Sequence, residues 1–101
     1  MTIREFNESP KAQGTDERVA YKVITTKWGG SPSNAVVVIK LAGIDECEAH
    51  LEGETSIEGD VIITPLVISL ESGNRYKLEV RWDSGGNTYE AYGWIITASI
   101  Y

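Results

Sequence analysis

The sequence predicts an all-β sandwich of about seven antiparallel strands. Three features of the 101-residue chain favour this fold. Apolar and polar residues alternate over short segments, as they do in strands with one buried face. Turn-forming residues, mainly Gly, Pro, Asn and Ser, separate these segments at intervals of roughly 8–12 residues. No window of about 11 residues or more carries apolar residues at the spacing of an amphipathic helix.

The chain begins with a polar segment that we expect to be an N-terminal arm. Residues 1–16 contain Pro10 and Gly14, and one short strand candidate near Ile3–Phe6. Because a chain of this length suits one core, residues 17–101 are predicted to form a single sandwich domain. In its first strand, RVAYKVITT, one face consists of Val19, Tyr21 and Val23 and the other of Arg18, Ala20 and Lys22.

Two further strands are predicted in the middle of the chain. AVVVIKL, residues 35–41, is apolar on both faces at its centre, which is typical of a buried central strand. A loop at 28–34, rich in Gly, Ser and Pro, precedes it. ECEAHL, residues 46–51, alternates in a way that places Cys47 in the core and His50 on the surface.

The last three strands are predicted at 61–70, 75–83 and 88–98. Pro65 cannot donate a ladder hydrogen bond, so the first of these strands is expected to border an edge or to contain a break. The second alternates, with Tyr76, Leu78, Val80 and Trp82 on its core face and Lys77, Glu79, Arg81 and Asp83 on its outward face. A Gly-Gly turn within 84–87 joins the second strand to the third.

The connection between the first two of these strands carries a corner pattern. Leu70, Gly73 and Tyr76 have the spacing L-x-x-G-x-x-Y, which resembles the tyrosine corner of immunoglobulin-like and fibronectin type III-like sandwiches. The resemblance implies that the Tyr76 hydroxyl bonds the backbone a few residues upstream. Gly73 supplies the permissive backbone that such a corner needs. The alternative is an ordinary hairpin that contains an aromatic residue.

Several short motifs resemble those of a family of small phage-type structural proteins. They are Ser9-Pro10-Lys11, Asp16-Glu17, the strand Tyr21–Trp28, Gly59–Ile62 and the corner Leu70–Tyr76. The resemblance extends over most of residues 9–98 and implies a tail, fibre-adaptor or head–tail component of a phage or prophage virion. The chain departs from the family pattern at TTKWGG, where an Asp-Trp pair and a longer acidic segment are expected.

Charge and composition disfavour several classes of partner. A net charge of −6 repels a phosphate backbone, and no polybasic patch is present for an anionic membrane, so we expect neither nucleic acid nor membrane as a partner. The N-terminal sequence lacks the apolar core of a signal peptide, and the single cysteine, Cys47, has no internal disulfide partner. We therefore expect synthesis in the cytoplasm without secretion, and the family resemblance implies incorporation into a virion.

Candidate catalytic groups are few. Seven carboxylates lie within residues 45–60 without a Lys or Arg among them, but the calcium-binding spacing of an EF-hand is absent. Glu46 and Glu48, about 7 Å apart on one strand face, would suit hydrolysis, whereas a solvated surface is the simpler interpretation. Cys47 and His50 on opposite faces cannot form a zinc site or a nucleophile–base pair. We expect no enzymatic activity, no cofactor and no metal.

Four aromatic residues are candidates for a contact surface: Trp28, Tyr89, Tyr92 and Trp94. The strand at 88–98 carries apolar groups on both faces, so one face is core and the other is available for contact. Exposed Trp and Tyr side chains anchor protein interfaces and also stack on sugars. The sequence therefore predicts a non-catalytic module that assembles with protein partners or with itself. A carbohydrate-binding or adhesion module is the alternative.

Overall fold

The chain folds into two β-sheets that pack against each other as a sandwich. The computed structural model describes residues 2–6 and 10–97. Its strands are β1 (Thr2–Glu5), β2 (Lys11–Ala12), β3 (Val19–Ile24), β4 (Ser33–Leu41), β5 (Ile44–Asp45), β6 (Leu51–Glu52), β7 (Ser56–Glu58), β8 (Val61–Ile63), β9 (Leu66–Val67), β10 (Arg75–Ser84) and β11 (Asn87–Ile96). Its helical elements are one 3-10 turn (Thr26–Trp28) and one short helix, α1 (Cys47–His50). Ser9 and Ala98, which belong to the predicted motifs and strands, lie outside the described residues.

The first sheet contains six strand segments built around β3. β8 and β9 lie antiparallel along one edge of β3, with Val23 opposite Ile62 and Val19 opposite Val67. β7 and β6 extend the sheet outward from β8 and β9, and these pairs are also antiparallel. β1 runs parallel to β3 along its other edge.

The second sheet contains five strands in the order β2, β11, β10, β4, β5. β10 and β11 form a long hairpin that is paired up to Ser84 and Asn87, next to the turn. Gly85 and Gly86 form this turn with φ of +56° and +84°, the left-handed values that a two-residue type I′ turn requires. β4 lies antiparallel to β10, and β2 pairs in parallel with the last two residues of β11.

One hydrophobic core lies between the sheets. Alternate residues of β10 are buried, which confirms the alternation predicted for this strand. The core comprises Phe6, Val19, Tyr21, Val23, Ile39, Ile62, Val67, Leu70, Tyr76, Leu78, Val80, Trp82 and Ile95. Full burial of a large apolar side chain contributes roughly 1.5–3 kcal/mol, so this core is the main favourable term in the stability of the sandwich.

The predicted strand at 61–70 is interrupted at Thr64 and Pro65 and forms β8 and β9. At this break the Thr64 hydroxyl bonds the backbone in place of a ladder group. Its Oγ1 accepts a hydrogen bond from the Tyr21 amide at 2.9 Å and donates one to the Pro65 carbonyl at 2.9 Å. Because Pro65 has no N–H, the ladder along β3 cannot continue through it. The expected break at Pro65 is therefore confirmed.

The prediction of a strand at 46–51 is wrong, because Cys47–His50 form α1 and only the end of the segment belongs to β6. The Asp45 carboxylate accepts a hydrogen bond from the Cys47 amide at 2.9 Å, and the Glu46 carbonyl accepts one from the His50 amide at 3.1 Å. An Asp that bonds the backbone two residues on starts a turn instead of a strand. This local bonding overrides an alternation of only six residues.

The helical turn also reverses the predicted position of His50, which is buried and not on the surface. The imidazole packs edge-on against the ring of Tyr76, with 4.9 Å between centroids. Its Nδ1 lies 3.2 Å from the Ile68 carbonyl oxygen, which can only accept, so Nδ1 is the donor of this hydrogen bond. Cys47 is half-buried against the core and its thiol lies beside the backbone of Ile39.

The segment predicted as an arm, residues 1–16, packs onto both sheets where it is described. β1 lies against the first sheet and β2 against the second. Phe6 is buried beside Tyr21, with ring centroids 6.0 Å apart. The buried amide of Gln13 donates from Nε2 to the Val67 carbonyl at 2.8 Å and accepts from the Tyr21 hydroxyl at 2.8 Å. The segment therefore supplies part of the core.

Candidate functional site

The side of the second sheet that faces away from the core is the candidate functional site. Because buried residues of β10 alternate with accessible ones, Lys77, Glu79 and Arg81 face outward. The strand registers then define the rest of this side. It comprises Ala12 on β2, Ser33, Val36, Val38 and Lys40 on β4, Asp45 on β5, Arg75, Lys77, Glu79, Arg81 and Asp83 on β10, and Thr88, Glu90, Tyr92, Trp94 and Ile96 on β11. We call this set the outer face.

Two basic side chains of the outer face lie over two aromatic rings. The guanidinium carbon of Arg75 is 4.3 Å from the ring centroid of Trp94, and Nζ of Lys77 is 4.4 Å from that of Tyr92. Lys77 is directly opposite Trp94 in the hairpin, so each cation reaches the ring that lies diagonally across from it. Each contact contributes about 0.5–1 kcal/mol at an exposed site and restricts the motion of the ring.

Glu79 lies between two lysines at the centre of the outer face. Its carboxylate is 3.3 Å from Nζ of Lys40 and 3.4 Å from Nζ of Lys77, two residues that face each other across β4 and β10. The carboxylate therefore offsets the repulsion between these cations. The outer face carries four basic and four acidic side chains, although the chain as a whole has a net charge of −6. The excess of negative charge thus lies elsewhere, with six carboxylates in residues 46–60.

Asp83 fixes the end of the outer face next to the hairpin turn. Its carboxylate accepts hydrogen bonds from the Thr88 hydroxyl at 2.7 Å and from the Asn34 side-chain amide at 3.1 Å. These bonds, first from Thr88 and then from Asn34, lower the pKa of the Asp83 carboxyl below its usual value. The ionised group thus ties β11 and β4 to β10 at this end.

The outer face exposes large apolar side chains. Tyr92 is 55% exposed, Val36 44% and Ile96 40%. Single exposed apolar residues are ordinary, but several on one sheet face next to aromatic and basic groups are typical of a contact surface. The outer face is therefore suited to binding by its apolar groups and its charges together.

The four aromatic residues predicted as a contact surface fall into two groups. Tyr92 and Trp94 lie side by side on the outer face. Trp28 is 41% exposed at one end of the sandwich and meets the buried Trp82 edge-on, with centroids 5.7 Å apart. Tyr89 points inward and packs near Trp82 at 6.0 Å. The structure thus places Trp28 and Tyr89 around one buried indole, away from the other pair.

Asp60, at the end of the acidic segment, holds the loop that carries Trp28. Its carbonyl oxygen accepts hydrogen bonds from the Thr25 amide at 2.9 Å and from the Thr25 hydroxyl at 2.6 Å. Its carboxylate accepts one from the Ser31 amide at 2.9 Å. Gly30 lies so close that a Cβ atom there would be 2.5 Å from Asp60 Oδ1. This carboxylate therefore has a structural role in the loop.

The predicted corner residues lie where β10 begins. The Tyr76 hydroxyl accepts hydrogen bonds from the Glu71 amide at 3.0 Å and from the Asn74 side-chain amide at 3.3 Å. Leu70 is buried, and Gly73 has a φ of +84°, a value that favours glycine. The side chains of Leu70 and Tyr76 lie inside the fold, whereas Gly73 is on the surface and has no side chain to offer a ligand.

The other titratable groups offer no convergent chemistry. In the described ranges, no three His, Cys, Asp or Glu side chains are placed to hold a metal ion. Burial raises the pKa of the Cys47 thiol, which disfavours the nucleophilic thiolate. Glu46 and Glu48 lie at the start of α1 and do not have the strand spacing that suggested a hydrolytic pair.

Comparisons with known protein families, with curated protein sequences and with solved structures find no match for this chain. Within the part of the chain that the structure describes, no helix has both the length and the apolar character needed to cross a membrane. The site must therefore be interpreted from its own geometry.

The cationic partners of Tyr92 and Trp94 were not predicted from the sequence. A signal for them is present in the hairpin turn, because a two-residue Gly-Gly loop fixes the register of the two strands. Ser84 lies opposite Asn87 beside the turn. Counting away from the turn along both strands therefore places Lys77 opposite Trp94 and diagonally across from Tyr92. Val36 lies on β4, whose register against β10 shifts between Arg81 and Asp83, and no local pattern indicates that irregularity.

Proposed function

We propose that this chain is a non-catalytic binding module that takes part in a larger protein assembly, and that it contacts its partner protein through the outer face. The observation that carries the proposal is the exposed apolar pair Tyr92 and Val36 on a sheet where Trp94, Arg75 and Lys77 are held in fixed contacts. Trp, Tyr and Arg are the residue types that most often dominate the energy of protein interfaces.

The fixed contacts favour binding for a physical reason. A side chain that is immobilised only on binding costs about 0.5–1.5 kcal/mol of conformational free energy. The cation–π contacts of Arg75 and Lys77 and the ion pairs of Glu79 already restrict these side chains in the unbound molecule. Binding therefore requires little further ordering, which supports a preformed protein-binding surface.

We further infer that the sandwich is of the immunoglobulin type. In one sheet β1 lies on one edge of β3, and β8 and β9 lie on the other edge. β7 follows outside β8, and β6 follows outside β9. The other sheet has the order β5, β4, β10, β11, β2. These orders parallel the two layers of an immunoglobulin-like domain, with β10 in the place of the strand that bears the tyrosine corner. The parallel pairings of β1 with β3 and of β2 with β11 depart from that pattern, in which the sheets are antiparallel.

The setting that we propose is a phage or prophage virion, as a tail or fibre-adaptor component. The short motifs from Pro10 to Tyr76 that resemble small phage structural proteins support it. An acidic module with a preformed contact surface is consistent with a part that works by assembly.

Site-specific crosslinking tests the proposal. A photoreactive amino acid replaces Tyr92 on the outer face, and a matched control carries it at Glu58, which is exposed on β7 of the other sheet. Both variants are expressed where virions of the source genome assemble, and crosslinked products are identified by mass spectrometry. We expect Tyr92 to yield a distinct virion protein and Glu58 to yield none. Products that are equal for the two positions, or absent from both, would contradict the proposal.

A second candidate function is carbohydrate binding, which the exposed ring of Tyr92 favours. Sugars stack on open aromatic faces, but Lys77 already lies over this ring, so a sugar has at most one face of it. A glycan array together with Trp fluorescence titration separates the two candidates. Saturable binding of a glycan that is abolished by Tyr92→Ala would favour the sugar-binding function over the protein-binding one.

A further inference from the structure

The charges of the outer face differ between its two ends. Three basic side chains and two carboxylates lie at the end away from the hairpin turn: Lys40, Arg75, Lys77, Asp45 and Glu79. At the end next to the turn, Arg81 lies opposite Glu90 and two residues from Asp83 on the same strand. The face as a whole is neutral, but the end that carries Tyr92 and Trp94 has an excess of positive charge.

Arg75 is the source of this excess. Lys40 and Lys77 share the Glu79 carboxylate, at 3.3 Å and 3.4 Å. Within the described part of the chain, no carboxylate oxygen lies within 4.0 Å of the Arg75 guanidinium. Its cross-strand neighbours on β11 are apolar, with Ile96 directly opposite and Trp94 on the diagonal. Because Arg75 is also exposed, its N–H groups are available to an anion from another molecule.

The contact with Trp94 prepares Arg75 to bind a carboxylate. The guanidinium carbon lies 4.3 Å from the indole ring centroid, and this contact restricts a long side chain before any partner arrives. A guanidinium is planar, always charged, and carries five N–H donors in a fork that matches the two oxygens of a carboxylate. Such bidentate pairs are stronger and more directional than hydrogen bonds between neutral groups. Arg75 is therefore the group of the outer face best suited to one anionic side chain.

Apolar groups lie beside this cation at the spacing of a strand. Tyr92, Trp94 and Ile96 are alternate residues of β11, so they follow one another at intervals of about 7 Å on the outer face. Tyr92 is 55% exposed and Ile96 40%. An extended segment that lies along β11 has its own alternate side chains at the same spacing. A carboxylate of that segment at Arg75 therefore leaves its neighbouring alternate side chains over apolar groups.

We propose that the partner protein of the outer face contributes an acidic segment, in which an Asp or Glu carboxylate binds Arg75 and apolar side chains at alternate positions pack on Tyr92 and Ile96. Charge complementarity supports this occupant, because a basic segment would be repelled at the end of the face where Arg75 lies. The inference rests on the proposed function, since it identifies the chemistry of the same partner.

A polyanion fits this end less well than a segment with one carboxylate. The Glu79 carboxylate already neutralises Lys40 and Lys77 and repels a second anionic group placed near them. The net charge of −6 on the whole chain also disfavours the approach of a highly charged anion. One carboxylate among apolar side chains, by contrast, matches one unpaired guanidinium beside apolar side chains.

A library of random peptides tests which chemistry the outer face selects. Peptides of about twelve residues, long enough to span the ten-residue β11, are displayed on yeast and sorted for binding to the full chain. Sorting against the Tyr92→Ala variant then removes the peptides that bind elsewhere. We expect Asp and Glu to be enriched about threefold or more in the retained peptides, with apolar residues at alternate positions beside them.

A double-mutant cycle tests the contact between the carboxylate and Arg75. Fluorescence anisotropy measures binding of a retained peptide, and of a version with its glutamate replaced by glutamine, to the unchanged protein and to Arg75→Gln. We expect the peptide change to weaken binding to the unchanged protein about tenfold and to Arg75→Gln by less than about twofold, because the bidentate pair is already lost there.

Two further variants serve as controls for the cycle. Arg18→Gln removes an exposed arginine beside the first sheet, so the peptide change should cost as much there as in the unchanged protein. Arg75→Lys keeps the charge without the planar fork and should retain only part of the preference for glutamate. Circular dichroism of each variant confirms that the fold is unchanged.

The outcomes separate this inference from the proposed function. Retained peptides without a carboxylate preference, a glutamate change that costs the same with and without Arg75, or a library that retains no peptide would each overturn the acidic segment. So would acidic glycans that bind on an array in place of the peptides. In all these cases a crosslink from Tyr92 to a virion protein would still support the proposed function. A carboxylate preference that depends on Arg75, without any crosslinked virion protein, would overturn the proposed virion assembly alone.

Discussion

The Tyr76 hydroxyl joins the start of β10 to the connection that precedes it, through the Glu71 amide. We expect Tyr76→Phe to lower the free energy of unfolding by about 1 kcal/mol, because it removes this bond and leaves the amide without its acceptor. Urea denaturation monitored by circular dichroism measures the change. Tyr92→Phe is the control, since its ring is exposed and the change there should be within about 0.5 kcal/mol. Equal midpoints for Tyr76→Phe and the unchanged protein would refute a stabilising corner.

Gln13 bridges the N-terminal segment and the first sheet through its buried amide. Gln13→Ala leaves the Val67 carbonyl and the Tyr21 hydroxyl without their partner, and each unsatisfied buried group costs about 1–3 kcal/mol. We expect a loss of about 2 kcal/mol or more in the same urea assay. A double-mutant cycle with Tyr21→Phe should show coupling between the two side chains. Additive effects of the two substitutions would argue against the bridge.

The ionisation of Tyr21 makes the free energy of unfolding depend on pH in the alkaline range. Burial raises the pKa of Tyr21 to about 12 from 10.0, against a smaller opposing effect of the Arg4 charge. The folded state therefore favours the neutral phenol, so this stabilisation is complete below pH 10 and is lost as pH rises through 12. Tyr21→Phe should be less stable than the unchanged protein at pH 8, and the gap should narrow by pH 11. Urea midpoints at both pH values test this, and a constant gap would contradict it.

The strands that the sequence predicted correctly are those in which the local pattern and the packing between sheets favour the same structure. β10 shows the predicted alternation of buried and accessible residues. Pro65 interrupts its strand as expected, because its lack of an N–H prevents ladder bonding wherever the chain places it. α1 was missed because one carboxylate, that of Asp45, redirects the backbone. Gln13 was missed because one of its partners, the Val67 carbonyl, is 54 residues away and nothing in a polar Gly/Pro segment indicates a buried amide.

The loop that carries Trp28 depends on the close approach of Gly30 to Asp60. Gly30 has a φ of +64°, and a Cβ atom there would meet the Asp60 carboxylate at 2.5 Å. Gly59 has a φ of +60° with no atom near its missing Cβ, so Gly59→Ala is a matched control that carries the backbone cost alone. That cost is about 1–2 kcal/mol.

We expect Gly30→Ala to destabilise the protein by more than Gly59→Ala, because the Asp60 carboxylate must move and its bond to the Ser31 amide must weaken. Trp fluorescence should also change for Gly30→Ala alone, since the displaced loop carries Trp28 against Trp82. Thermal unfolding of both variants, with emission spectra of the folded state, provides the comparison. Equal losses and equal spectra would show that the contact with Asp60 is unimportant.

At the scale of the whole molecule, charge and shape divide the protein into distinct regions. The carboxylates of residues 46–60 lie on α1, β6, β7 and their loops, whereas the outer face has as many basic as acidic groups.

Residues 1–16 belong to the folded sandwich if their removal destabilises it, and they form a separable arm if it does not. Their described part supplies β1, β2, Phe6 and Gln13 to the sandwich. Removal of a buried Phe side chain alone typically costs about 3–5 kcal/mol. We therefore expect deletion of 1–16 to cost at least that much, close to the 5–15 kcal/mol total stability of an ordinary domain. The truncated chain should be largely unfolded at 25 °C by circular dichroism.

Single substitutions in the full chain provide the comparison for the effect of the deletion on stability. Phe6→Ala and Gln13→Ala should each destabilise without complete unfolding, so the deletion exceeds either one. If the deleted chain keeps its full free energy of unfolding, residues 1–16 are an independent arm and the core begins at β3.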